Sequence, residues 1–233
     1  MSTRSRRPGQ NIRELALRRR VKAVSLFVSA IFFLVMPFGI VNLFEKFFKE
    51  IITNNPQNTT SYLEMSPVFY LPFLIISLGL VADGIYLLKR ANRADQGAKG
   101  EEDTSRELSG LKQHGWKIEY GMSLGNRLGD ADIVCISPQN RVYVIDVKSH
   151  KGKIIANGEK LYRRMGHRDY SFEKDFIAQT MKQALQVKKQ QGFKFVTPII
   201  VFSDAKVLIS SNQIRKVFIV EKSELASLLK TLG

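Results

Sequence analysis

Two apolar stretches within residues 1–90 constrain this 233-residue chain more than any other feature. Val21 to Phe44 has Lys22 at its start and no further charge before Glu45, and Ser66 to Leu88 has the single charge Asp83. At ~1.5 Å of rise per residue, either stretch crosses a ~30 Å hydrocarbon core as a helix. Pro37, Pro67 and Pro72 are compatible with such helices. The expectation is a transmembrane hairpin, with spans of about 21–44 and 66–88. Eight Lys/Arg against one acid lie between Met1 and Lys22, and Lys89, Arg90 and Arg93 follow the second span. The loop Glu45–Met65 has only Lys46 and Lys49. The positive-inside bias places both termini in the cytoplasm, in a cell (plasma) membrane, with the Asn/Thr-rich loop outside. A cleaved signal peptide fits less well, because the basic head is long and no small-residue cleavage site follows the first run.

The chain then divides into a basic N-terminus (1–20), the hairpin (21–91), a short polar linker (92–100) and one domain (101–233). From Ala94 onward there are 23 Lys/Arg against 16 Asp/Glu, a net charge of +7 that permits a polyanionic partner. The single cysteine, Cys135, excludes an intrachain disulfide and a Cys-x-x-Cys pair, and reads as a buried thiol. His114, His150 and His167 lack metal-ligand spacing and read as surface residues. Neither a phosphate-binding Gly-x-x-x-x-Gly-Lys-Ser/Thr loop nor a dinucleotide fingerprint occurs, which argues against an ATPase or a dinucleotide enzyme.

The domain reads as a mixed α/β sheet covered by helices. A helix is expected over Glu101–Gln113, a strand over Trp116–Tyr120, and a hairpin of Ala131–Ile136 with Val142–Val147 about the Ser137-Pro138-Gln139-Asn140 turn. Asn157-Gly158 marks a second tight turn, between Lys153–Ala156 and Lys160–Arg163. Asp175–Gln191 reads as a helix with Ile177, Met181, Ala184 and Leu185 on one face, Phe195–Phe202 as a strand buried on both sides, Val217–Val220 as another strand, and Ser223–Leu232 as a terminal helix.

Asp146 and Lys148 are two residues apart on a strand and so share a face. If Ser137 pairs with Arg141, Asp132 lies directly opposite Asp146, at a Cβ separation of roughly 4.5–5.5 Å where like charges destabilise a sheet. A cation between them reverses that sign, and two carboxylates beside a lysine suit Mg²⁺ with substrate phosphate. Alternatively these charges protect an edge strand, with Lys148 as an ion-pair partner. Lys151, Lys153, Lys160, Arg163, Arg164 and Arg168, with Tyr162 and Tyr170 interleaved, are suited to a nucleic-acid backbone, or to solvated hairpin edges.

Gly97-Ala98-Lys99-Gly100-Glu101, then Gly129-Asp130-Ala131-Asp132-Ile133-Val134, then Val144-Ile145-Asp146-Val147-Lys148-Ser149 with Gly152, and finally Gln179 and Gln183, together resemble the nuclease-related domain (NERD) family. That family is related to the PD-(D/E)xK nucleases of the restriction-endonuclease-like fold. The resemblance spans roughly Gly97 to Phe202. It implies Glu101 as the acid of the first helix, Asp132 as the central metal ligand, Asp146 as the second acid, Lys148 as the lysine of the (D/E)-x-K pair and Gln179 as a glutamine beside the site. Asp146 stands where the NERD pattern more often has Glu, shortening the reach to a metal by one methylene. The implied cofactor is Mg²⁺ or Mn²⁺, held by Asp132, Asp146 and Glu101. The implied activity is phosphodiester hydrolysis of DNA or RNA, and within the basic cluster Lys151, Lys153, Arg163 and Arg164 are the residues expected to hold the nucleic acid. Two other functions remain open: a non-catalytic module that binds nucleic acid or protein at the bilayer, and a membrane-assembly protein whose hairpin forms a homo-oligomer.

Overall fold

The computed structural model describes residues 7–52, 66–125 and 128–233. Arg4 and Arg6 of the basic N-terminus, and 53–65 of the expected outer loop, lie outside the described residues. The chain forms two compact units, one made of Leu15–Arg93 and the other of Ala94–Gly233 together with the N-terminal segment ending at Glu14.

The first unit consists of parts of two long helices, α1 (Gln10–Ile52) and α2 (Leu71–Leu108). Gln10–Phe48 and Pro67–His114 are long and apolar enough to cross a membrane. Their close packing comes from small residues seven apart: Ala16, Ala23 and Ala30 on α1, and Ser77, Gly84 and Ala91 on α2, are all buried. Ser77 Oγ donates to the Ala30 carbonyl at 3.0 Å. At Gly84 a Cβ would fall 2.6 Å from the Phe27 ring, so glycine sets the approach. Val28, Ile31, Ile75 and Leu78 point outward, each at least 60% exposed.

The second unit is a mixed sheet flanked by helices. Its strands are β1 (Lys117–Ser123), β2 (Asp130–Ile136), β3 (Val142–Asn157), β4 (Lys160–Met165), β5 (Arg168–Ser171), β6 (Thr197–Val207), β7 (Gln213–Ile214) and β8 (Val217–Glu221). The order is β1-β2-β3-β6-β8-β7, with β4 and β5 continuing from the distal half of β3. β3, β6 and β8 run parallel, and α3 (Phe176–Gln191) leads back to β6 after the β4–β5 excursion. α3 covers one face, where Ala184 and Val187 meet Val134 and Val144, and Ile177 meets Ile200 and Phe202. On the other face Leu108 and Leu111 join Leu225 and Leu229 of α4 (Lys222–Leu232) over Ile133, Ile145, Ile199 and Val201. Burial on both faces explains the unbroken apolar run of β6.

Several expectations are corrected. Residues 92–100, read as a polar linker, are helical within α2. Asn92–Gly100 has no proline, and its two glycines sit at packing contacts. The helix expected to Gln113 ends at Leu108 and tightens into a 3₁₀ segment, Ser109–His114, closed by left-handed Gly115. The strand expected from Phe195 starts at Thr197, and Phe195 is 84% exposed. The buried face of α3 is Ile177, Thr180, Gln183, Ala184 and Val187, whereas Leu185 is exposed. Val142–Val147 and Lys153–Ala156 are one strand, whose register against β6 slips between Lys148 and Lys151. His150 is not a plain surface residue: it lies 5.0 Å from the Phe172 ring and 5.5 Å from Phe176, and burial lowers its pKa. Cys135 is buried, and burial pushes its thiol up to about 12.

Candidate active site

The site begins in the turn between β2 and β3. Asn140 adopts the left-handed conformation (φ 59°), and the Ser137 N–H donates to the Arg141 carbonyl at 2.9 Å. This closure fixes the register Ile136↔Val142 through Ile133↔Ile145, as the assumed Ser137–Arg141 pairing requires. One step beyond the last pair, β2 carries Asp132 and β3 carries Asp146. There the strands part: Ala131 and Asp130 stay with β1, while Asp146, Val147 and Lys148 stay with β6. Strand alternation puts Asp132 on the face of Val134 and Asp146 on that of Val144, the face covered by α3.

Asp146 is 2% exposed and contacted at both oxygens: Lys148 Nζ donates to Oδ1 at 2.8 Å, and the Thr180 hydroxyl lies 2.9 Å from Oδ2 and 2.8 Å from the Phe176 carbonyl, the two acceptors of its proton. Lys148 also lies 4.8 Å from the Phe176 ring centroid, a cation–π contact. Asp132 Oδ2 accepts the Val147 N–H at 2.7 Å. Burial, then the Asp146 and Glu101 carboxylates, hold the Asp132 carboxyl well above the usual range.

Glu101 reaches the group from α2. Gly100 lets the helix approach the sheet, since a Cβ there would fall 2.7 Å from Ser203 Oγ and 3.0 Å from Ser149 Cβ. Gln96 Nε2 donates to the Ser149 carbonyl at 2.7 Å and fixes the same approach. Burial raises Glu101 to about 7; the Gly9 N–H, donating to Oε2 at 3.0 Å, opposes that shift, while Asp146 and Asp130 add to it. Among the described residues, no three His, Cys, Asp or Glu side chains are gathered closely enough to hold a metal ion. The Asp146 oxygens face Lys148 and Thr180, and an Asp132 oxygen faces the backbone.

The structure thus brings Asp132, Asp146, Lys148 and Glu101 into mutual electrostatic contact. Gln179 is half-exposed and makes no side-chain hydrogen bond among the described residues. The sequence reading missed its neighbour Thr180, a polar residue at helical spacing from Ile177, Ala184 and Val187. Gln183 is buried and donates to the Asp130 carbonyl at 3.3 Å; its Oε1 has no partner among the described residues. Of the four cations expected to hold nucleic acid, Lys151 and Lys153 are exposed. Arg164 is forked onto Asp169 at 2.6 and 2.9 Å, and Arg163 lies 6.0 Å from the Tyr170 ring centroid.

No curated protein and no solved structure matches this chain. Residues 96–203 match the family model of the nuclease-related domain (NERD), a stretch that contains Glu101, Asp132, Asp146, Lys148 and Gln179, so the chain carries a nuclease-related region.

Proposed function

We propose that the chain is a membrane-anchored, metal-dependent nuclease of the PD-(D/E)xK type, with a restriction-endonuclease-like domain that hydrolyses phosphodiester bonds of DNA or RNA. The observation that carries this reading is the fork of β2 and β3, where Asp132, Asp146, Lys148 and Glu101 meet within the matched region. The donor set consists of oxygens, and burial, with mutual repulsion adding to it, raises two of its carboxyls, a cost that a hard divalent cation would relieve. Asp132 and Asp146 would hold Mg²⁺ or Mn²⁺ together with substrate phosphate, with Glu101 completing the inner or outer shell, once Asp146 turns from Lys148 and Thr180. When bound, the ion supplies Lewis-acid polarisation of the scissile phosphate. Lys148 Nζ, held by Asp146 and Phe176, would orient the attacking water and balance charge developing on phosphorus. Lys151 and Lys153 offer exposed charge to the nucleic-acid backbone, whereas Arg164 first has to release Asp169.

Anchoring is supported by the two apolar helices. Only 11% of the most apolar window in each is buried, unlike the core helix of a soluble protein. The flanking basic residues support cytoplasmic termini. Labelling Ser210→Cys and Thr59→Cys variants in intact cells tests this, with little background from buried Cys135. Outside access at 210 with protection at 59 refutes it.

Activity is tested on the full chain in detergent with single- and double-stranded DNA and RNA, in Mg²⁺ or Mn²⁺ and with chelator. Asp146→Asn and Lys148→Ala should each abolish turnover while the melting transition survives. A second reading, a non-catalytic binding module, is favoured by the present engagement of Asp146 with Lys148 and Thr180. Chelator-insensitive binding without turnover in any divalent metal selects it.

A further inference from the structure

Glu101 is the one acid of the candidate site supplied by a helix, and its hydrogen-bonding partner lies outside residues 96–203. That partner is the backbone N–H of Gly9, immediately before α1. Gly9 has φ +69°, and a Cβ there would lie 2.8 Å from the Ala98 carbonyl oxygen, so glycine alone fits. Two residues on, Asn11 Nδ2 donates to Asp130 Oδ2 at 2.9 Å. Ile12 lies over Gly97, where a Cβ would come no closer than 3.9 Å, and Arg13 grips both oxygens of Glu102. The Gly97-Ala98-Lys99-Gly100-Glu101 motif therefore has two packing sides: Gly97 and Ala98 receive the N-terminal segment, and Gly100 receives the sheet. Between this segment and the acids lies a cavity of about 210 Å³, bounded by Arg7, Gly9, Asn11, Glu101, Asp130 and Asp132.

We propose that Arg7–Arg13 is a wall of the active site, in which Gly9 and Asn11 are positioning residues that fix the Glu101 and Asp130 carboxylates at the cavity they share with Asp132. The functional unit is then discontinuous, and residues 96–203 lack part of it. The proposal rests on the metal-dependent reading above and adds to it residues that precede the first apolar run. Gly9 contributes a backbone donor at a helix N-terminus that holds Glu101 Oε2 at 3.0 Å beside the cavity. Asn11 contributes an amide that orients Asp130, whose carboxylate borders the cavity beside the proposed ligands Glu101 and Asp132, as outer partners orient a metal site.

The experiment measures Mn²⁺ affinity of the full chain in detergent, from the free-ion electron paramagnetic resonance signal, for wild type, Asn11→Ala, Asn11→Gln and Gly9→Ala. Asn11→Ala and Gly9→Ala should weaken Mn²⁺ binding by about tenfold, the lower end for loss of such a partner. Asn11→Gln, which keeps the amide, should retain most of the affinity, a rescue that loss of packing alone does not predict. In the absence of metal, melting-temperature shifts of Asn11→Ala, Asp130→Ala and the double variant should be non-additive. Wild-type affinity in Asn11→Ala, or additive shifts, overturns the proposal and leaves the nuclease reading standing. A wild-type chain that neither binds Mn²⁺ nor cleaves any substrate overturns the nuclease reading and this proposal with it.

Discussion

Gly97 and Gly100 are three residues apart on the same helix, yet alanine at the two positions should change stability in opposite directions. In a helix interior, Gly→Ala gains about 0.8–1 kcal/mol from backbone entropy. At Gly97 a new Cβ meets only Ile12, at an ordinary 3.9 Å, so that gain should be realised. At Gly100 the same Cβ would lie 2.7 Å from Ser203 Oγ, 3.0 Å from Ser149 Cβ and 3.4 Å from Ser203 Cβ. Overpacking of this kind costs about 1–3 kcal/mol, which outweighs or cancels the helical gain and leaves a net loss of up to about 2 kcal/mol. The two variants should therefore differ by roughly 1–3 kcal/mol, or several degrees in melting midpoint at about 2–4 °C per kcal/mol. Ser203 Oγ is buried without a hydrogen-bond partner among the described residues. Ser203→Ala removes the nearest obstruction with no bond to lose, and should restore part of the Gly100→Ala deficit, since the Ser149 Cβ contact at 3.0 Å remains. The assay is thermal unfolding of the full chain in detergent, followed by circular dichroism. A Gly100→Ala midpoint at or above that of Gly97→Ala, or a failure of Ser203→Ala to restore any of it, refutes the close α2–sheet approach that places Glu101.

The raised carboxyl of Glu101 makes stability depend on pH: its favourable contribution is complete below about 4.5 and is lost as pH rises through about 7. The metal-free chain should accordingly melt lower at pH 8 than at pH 5, and millimolar Mn²⁺ should recover part of the loss at pH 8; equal midpoints at both pH values count against the buried carboxylate group. Thr180→Val withdraws a donor from buried Asp146 and should cost about 1–3 kcal/mol, with turnover reduced as well, read by melting and by initial rates. Asp175→Ala removes the N-cap that accepts the Ala178 N–H, and should cost about 1 kcal/mol with no change in Mn²⁺ affinity.

What the sequence disclosed followed from local physics, and what it concealed was mostly tertiary. The β2–β3 register was legible because one assumed closure, Ser137 with Arg141, sets every later pair, and strand alternation then sets the faces of Asp132 and Asp146. The parting of the strands at that point was not legible: β1 and β6 claim the two strands separately, and neither partner is near in sequence. Thr180 was legible as a polar residue on the helical stripe of Ile177, Ala184 and Val187, the face that meets the sheet. The helical state of 92–100 was hidden by polarity, which marks linkers and exposed helix faces alike. A signal for it existed in the recurrence of small residues every seventh position, Gly9, Ala16, Ala23 and Ala30 in one run and Ser77, Gly84, Ala91 and Ala98 in the other. That recurrence disregards the boundary between apolar and polar composition, because it records how closely backbones approach rather than which solvent surrounds them. Dividing the chain by hydropathy assigned residues 7–14 to topology alone, whereas Gly9 and Asn11 donate to two acids at the candidate site. A positive residue count and a left-handed glycine can thus occupy one short segment for unrelated physical reasons, and only the glycine's contacts reveal the second.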